Sequence, residues 1–210
     1  AIEELDTNRP LVGTIARIGK SFTDEEIQRV ANLWLVEKDF RKARTYANLF
    51  DVRDFPYPFK VIIDRVLAGD PPFDFEDVLS YSDEPMVREL GLTLISQESP
   101  DSRGYTCLKN AFLDEDIPFL VKSLDRFVNV DHDEMHDICT ALRDICETIP
   151  TAELRAPFLI WIYEHDPCSF CRNTATDILV EDGTLPENYR QEMAFDSDSD
   201  TRALVIPKPA

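Results

Sequence analysis

The chain reads as an all-α protein, specifically an α-solenoid of stacked antiparallel helix pairs. Apolar residues recur at helical spacing from end to end, and alternating runs of strand type are nearly absent. Six glycines in 210 residues are about half the usual share, which leaves little room for tight hairpins or glycine-rich phosphate loops. The clearest stripe is Met135, Ile138, Cys139, Leu142, Ile145, Cys146 and Ile149. Its steps of 3 or 1 place every member on one face of a helix.

Each element has its own local signal. Thr23-Asp24-Glu25-Glu26 is a capping box, in which the Thr23 hydroxyl and the Glu26 carboxylate each accept a backbone N–H of the other residue. The stripe after it is Ile27, Val30, Ala31 and Trp34. A second helix is predicted over Asp39 to Phe50. A third carries Phe59, Ile62, Ile63, Val66 and Leu67 and stops at Gly69-Asp70-Pro71-Pro72. Shorter helices are predicted near 74–81, 85–97, 102–112 and 116–128, the last with Leu120, Leu124 and Phe127 inward. Asp131-His132-Asp133-Glu134 opens the 132–149 helix as another capping box. Thr151 is the expected cap of the next, which holds Pro157 and should kink there unless its regular turns begin at the proline. Asp166-Pro167 and Leu185-Pro186 suit the starts of the last two sizeable helices. From Asp196 the chain is acidic, and Leu204 to Ala210 is expected to be extended and loosely held. The organisation is thus an extension over 1–22, a helical-repeat domain over 23–195 and an acidic C-terminal segment over 196–210.

A faint internal repeat supports the stack. An acidic or proline-bearing break precedes an apolar residue and an arginine at Val87-Arg88 and Cys171-Arg172, with a variant at Thr201-Arg202. Arg88 and Arg172 lie 84 residues apart, twice 42, within the roughly 40–47-residue spacing of HEAT-type repeats. The stretch Tyr163-Glu164-His165-Asp166-Pro167-Cys168-Ser169-Phe170-Cys171-Arg172, with Leu185-Pro186 and Asp196-Ser197-Asp198 after it, resembles the C-terminal part of bacterial HEAT-like repeat proteins. The resemblance is best over about 130–205 and looser over 23–100. It implies paired helices in a curved HEAT-like or armadillo-like stack and carries no settled activity.

Charge narrows the partners. There are 41 acidic and 22 basic residues, a formal net charge of −19. Nucleic acids and anionic membranes are bound through Lys and Arg on phosphate, so neither is expected here. A protein partner is expected, and the charge would suit a basic one. The balance of 24 Asp to 17 Glu, with only 7 Lys against 15 Arg, fits the simpler expectation for the acid excess, that it serves solubility or a salty environment. No apolar run reaches the roughly 20 residues of a membrane span. The acidic start Ala1-Ile2-Glu3-Glu4-Leu5-Asp6 lacks the features of a signal peptide, although the chain opens on Ala1 as a trimmed chain would. Five cysteines, an odd number, read as reduced thiols of a cytoplasmic protein.

Four constellations could carry chemistry. His132 and His136 stand at i and i+4 on one helix face, a spacing that can bind zinc. Glu134 between them projects elsewhere, so the zincin order His-Glu-x-x-His is not met. Cys168-Ser169-Phe170-Cys171 is a single C-x-x-C that His165 extends to H-x-x-C-x-x-C. Cys168 and Cys171 share a stripe with Ala175, Ile178 and Leu179, so helix packing is the expectation and bound metal or cofactor is not. Arg88, Arg172 and Arg202 are expected to be structural, bridging carboxylates or loop carbonyls of a neighbouring repeat. Asp196-Ser197-Asp198-Ser199-Asp200 lacks the glycine and distal glutamate of a calcium loop and reads as a connector.

The enzymes of the resembled fold leave further marks. Its di-iron hydroxylases use His-Glu dipeptides, which this chain lacks. Its DNA glycosylases need a basic groove, against a charge of −19. Its bilin lyases have no motif to test. The expectation is therefore a non-catalytic scaffold or adaptor mediating protein–protein interaction. The alternatives are an acidic inhibitor, such as an immunity protein or nucleic-acid mimic, blocking a basic partner, and a metal-binding protein using His132, His136, His165, Cys168 and Cys171.

Overall fold

Thr23 starts the first helix as its side chain dictates. Its hydroxyl accepts the Glu26 N–H at 3.3 Å, and Glu26 Oε2 accepts the Thr23 N–H at 2.9 Å. The computed structural model describes residues 19–205, so the expected extension over 1–22 lies outside the described residues up to position 18. Of the described residues 66% are helical, in twelve α-helices with two short 3-10 turns, and none is in a strand. The all-α class holds. The chain divides into two compact units within one helix, the first ending at Leu90 and the second beginning at Gly91.

The first unit holds α1 (Asp24–Val36), α2 (Phe40–Ala47), α3 (Lys60–Leu67) and α4 (Phe75–Leu79). The division falls inside α5 (Pro85–Ser96). Asp39 caps α2 by accepting the Lys42 N–H at 3.1 Å. Gly69 ends α3 with φ +77°, a conformation that a glycine adopts without strain. The core forms around Trp34, which is fully buried. Its ring lies 5.8 Å from Phe50 and 5.7 Å from Phe55, and its indole N–H donates to the Phe73 carbonyl at 2.9 Å. The stripe Ile27, Val30, Ala31 and Trp34 is buried as its spacing predicts. Pro71 and Pro72 precede rather than enter the next helix, which begins at Phe75.

The second unit continues with α6 (Arg103–Leu108), α7 (Ile117–Ser123), α8 (His132–Thr148), α9 (Ala152–His165), α10 (Ser169–Glu181), α11 (Glu187–Met193) and α12 (Ser199–Val205). Neighbours in sequence pack together, α8 on α9 and α9 on α10, and α8 also meets α6. Asp131 accepts the Glu134 N–H at 2.9 Å and opens α8. Met135, Ile138, Cys139, Leu142, Ile145, Cys146 and Ile149 are all buried. Thr151 departs from expectation, because its side chain makes no capping bond; its carbonyl alone closes the first turn of α9 on Leu154 and Arg155. The regular turns of α9 begin at Ala152, before Pro157.

Leu204 and Val205, the first two residues of the stretch expected to be extended, instead end the helix that holds Arg202. Asp198 Oδ1 accepts the N–H groups of Asp200 at 3.0 Å and Thr201 at 2.9 Å, which nucleates α12. Thr201 and Val205, one turn apart, are buried, and α12 packs on α10 and α11. Residues 206–210 lie outside the described residues.

Arginine forks tie off helix ends within each unit. Arg65 donates to the Leu35 carbonyl at the end of α1, and Arg126 donates to Ile95 O at 2.8 Å near the end of α5. Such carbonyls have no partner inside their own helix, and a planar cation satisfies them while opposing the negative end of the helix dipole. This gives the excess of Arg over Lys a structural use.

Burial of the α8 stripe has a consequence at high pH. The Cys146 thiol, 2% exposed, is pushed up to about 12 chiefly by burial. A raised folded value means that the unfolded chain releases this proton first. The contribution is fully present below about pH 9, the ordinary thiol value, and is lost as pH rises towards 12. Denaturant melts between pH 8 and 11 should show a falling stability whose slope is shallower in Cys146→Ala; an unchanged slope would place the titration elsewhere.

Candidate functional site

Two clusters collect functional side chains, one in each unit. In the first unit, Phe50, Phe55, Phe59 and Tyr81 wall a cleft of about 260 Å³ whose edge carries Asp54, Asp83 and Glu84. The rings are ordered by one another: Phe55 stands edge-on to Phe50 at 5.1 Å and lies nearly parallel to Phe59 at 6.1 Å. The Tyr81 hydroxyl donates to Asp51 Oδ1 at 3.2 Å. Burial raises the Asp51 carboxyl above its ordinary range, opposed by that hydrogen bond. Asp54, Asp83 and Glu84 form no ion pair among the described residues. Asp54 and Asp83 are exposed and Glu84 is half-buried. Sequence reading missed this cleft because Phe50, Phe59 and Tyr81 stand at the ends of three different predicted helices with Phe55 between them, and no local spacing brings them together.

In the second unit, His136, Asp166, Cys168 and Cys171 converge, with one ligand-type atom from each lying within 4.8 Å of the others. His136 projects from the second turn of α8. Asp166 and Cys168 occupy the corner between α9 and α10, and Cys171 sits in the first turn of α10. Asp166 Oδ1 accepts the Cys168 N–H at 2.8 Å and lies 3.3 Å from His136 Nδ1. Cys171 Sγ lies 4.0 Å from the same nitrogen. The Asp166 side chain is fully buried, whereas that of His136 is 42% exposed. Asp166 Oδ2 is buried and meets no nitrogen or oxygen donor, while the Cys139 thiol hydrogen-bonds the same carboxylate. Burial first, then the Asp166 charge and Cys168, push the Cys171 thiol up to about 12. Burial and Asp166 likewise raise the thiol of Cys139, one turn beyond His136.

The structure sorts the residues singled out in the sequence. Cys168, Cys171 and His136 come together, and Asp166 joins them. His165 does not: its Nδ1–H donates to Trp161 O at 2.9 Å and its ring stacks on Trp161 at 4.5 Å. His132 is exposed at the first position of α8. The packing stripe of α10 comprises Cys171, Ala175 and Leu179, which are buried, while Cys168 precedes the helix and is half-buried. The aspartate was open to detection as part of D-x-C-x-x-C; His136, 30 residues upstream, was not, because only the fold brings it near.

Arg172 and Arg202 close their own turns rather than a neighbouring repeat. Arg172 Nη1 donates to Asp166 O at 2.9 Å, and Arg202 Nη1 donates to Asp196 O at 2.6 Å, each six residues back. In both turns the aspartate Oδ1 accepts the N–H two residues on, at 2.8 Å. Ser82 does the same for Glu84 at 3.1 Å, six residues before Arg88. The residue ahead of each arginine, Val87, Cys171 or Thr201, is buried. The weak sequence repeat is therefore one turn used three times: a short polar side chain bends the backbone and a buried residue anchors it, and Arg172 and Arg202 clasp their bends.

No protein-family model matches the chain, and no curated protein or solved structure matches it. No helix among the described residues is long and apolar enough to cross a membrane.

Proposed function

We propose that this protein is a non-catalytic, cytoplasmic helical-repeat module of HEAT-like type that binds a basic segment of a protein partner. The observation that carries this reading is the acidic aromatic cleft of the first unit. A Lys or Arg side chain laid there has its aliphatic stem against Phe50, Phe55 and Phe59 and its charged head near Asp54, Asp83 and Glu84. A volume of about 260 Å³ suits one long side chain and lies below the roughly 300–1,000 Å³ of drug-sized ligand sites. The net charge of −19 would steer such a partner over longer range. The five free cysteines and the sequential pairing of helices are in keeping with the compartment and the architecture.

An unstructured Arg/Lys peptide tests the cleft directly. Trp34 touches Phe50 and Phe55, so its fluorescence in a Trp161→Phe background reports occupancy. Peptide binding is expected to weaken at least about tenfold in Asp54→Asn/Asp83→Asn/Glu84→Gln and to weaken further with salt. The control set Glu153→Gln/Asp177→Asn/Glu181→Gln, on exposed positions of the second unit, should change little. Equal losses from both sets would replace a cleft with diffuse attraction and overturn this reading.

A further inference from the structure

We infer that His136, Asp166, Cys168 and Cys171 form a closed, four-ligand zinc site in the second unit. This is independent of the basic-partner reading, which concerns the other unit. The first argument is geometric. A tetrahedral zinc with sulfur at about 2.3 Å and nitrogen or oxygen at about 2.0 Å holds its ligand atoms roughly 3.3–3.8 Å apart. Here His136 Nδ1 and Asp166 Oδ1 are 3.3 Å apart, His136 Nδ1 and Cys171 Sγ 4.0 Å, and all four ligand atoms lie within 4.8 Å. A contraction of at most about 1.5 Å in any pair closes the shell.

The second argument is the unsatisfied carboxylate. Asp166 is fully buried, its Oδ2 meets no nitrogen or oxygen donor, and the further hydrogen bond its carboxylate draws comes from the weakly donating Cys139 thiol. A buried carboxylate oxygen without a donor or cation is costly, and natural folds avoid it unless something else binds there. The Cys168 N–H holds Oδ1 from one side, and the Arg172 guanidinium clasps the carbonyl of the same residue. These supports hold the carboxylate in place at the cluster, as outer partners do at metal centres.

Donor chemistry selects the metal. Two thiolates with one imidazole and one carboxylate form a borderline-soft set, unsuited to calcium or magnesium and typical of zinc. As each Zn–S bond forms, the thiol proton passes to solvent, so binding one Zn²⁺ releases up to two protons and involves no change of oxidation state. Four protein ligands leave no open position, which makes the ion structural. Held so, it joins the N-terminal part of α8 to the α9–α10 corner. His136, 42% exposed, is the side from which the ion enters.

The test uses the whole chain, stripped by a chelator under reducing conditions and titrated with Zn²⁺ and with Co²⁺ as a coloured stand-in. One ion per chain is expected, with thiolate-to-cobalt charge-transfer absorption and the visible bands of a tetrahedral centre. Cys168→Ser/Cys171→Ser should abolish the charge-transfer band, and Asp166→Asn and His136→Ala should each weaken zinc binding at least about tenfold. Cys168→Ser alone keeps a side chain suited to a helix start, so it should retain the apo protein's circular dichroism while reducing the band. His132→Ala and His165→Gln should leave stoichiometry and spectrum unchanged. Absence of a charge-transfer band in the unsubstituted chain would overturn the assignment. Undiminished zinc affinity in a folded Cys168→Ser or in Asp166→Asn would overturn it as well.

Discussion

Leu142→Ala is expected to lower the unfolding free energy by about 2–5 kcal/mol. Leu142 is fully buried in the core of the second unit, in the middle of the α8 stripe between Ile138 and Ile145. Truncation loses the transfer free energy of three carbons and leaves a cavity that rigid helix neighbours close only in part. Urea melts at pH 7 should show a lower midpoint with an unchanged slope. A loss well under about 1 kcal/mol would mean that the site collapses freely or that this face is not a packed interior.

Gly104→Val is expected to cost about 3 kcal/mol or more, and Gly104→Ala about 1–3 kcal/mol. A Cβ on Gly104 would stand 2.6 Å from the Gly91 carbonyl oxygen and 2.8 Å from Ile95 Cγ1. The relation is reciprocal, since a Cβ on Gly91 would stand 2.9 Å from the Gly104 carbonyl oxygen. Two backbones approach here, and a backbone cannot step aside as a flexible side chain does. Helix propensity alone argues the other way, because Gly→Ala inside a helix normally gains up to about 1 kcal/mol. The sign of the change in thermal midpoint for Gly104→Ala therefore separates the two effects, and an increase would refute the close approach.

Helix starts and buried faces were legible locally because both depend on residues three or four apart. Thr23, Asp39 and Asp131 each cap the helix that follows them, and every member of the α8 stripe is buried. Helix ends were less legible. The expected 39–50 helix stops at Ala47 and the expected 102–112 helix at Leu108, the following residues turning instead on i→i+3 bonds such as Phe50 to Ala47 and Ala111 to Leu108. The acidic 196–200 connector was read as solvated and Leu204 and Val205 as extended, whereas Ser199–Val205 is one helix whose Thr201 and Val205 find a surface on α10 and α11 that no local window contains.

The candidate sites divide in the same way. Local order alone marked Cys168 and Cys171 as a pair and marked the arginines after Val87, Cys171 and Thr201 as members of one pattern. It could not choose among three histidines, since His165 is the nearest in sequence and yet is held against Trp161. Packing of α8 against the α9–α10 corner selected His136, and burial of the corner turned Asp166 from a helix-start residue into a fully buried carboxylate beside it. The sequence by itself determined the helical class, the caps, the core stripes and the sign of the surface charge, because each follows from spacing within a few residues or from composition. Only the tertiary structure decided the acidic aromatic cleft, the glycine contact and the four-residue cluster, because each joins segments whose separation along the chain carries no information about their distance in space.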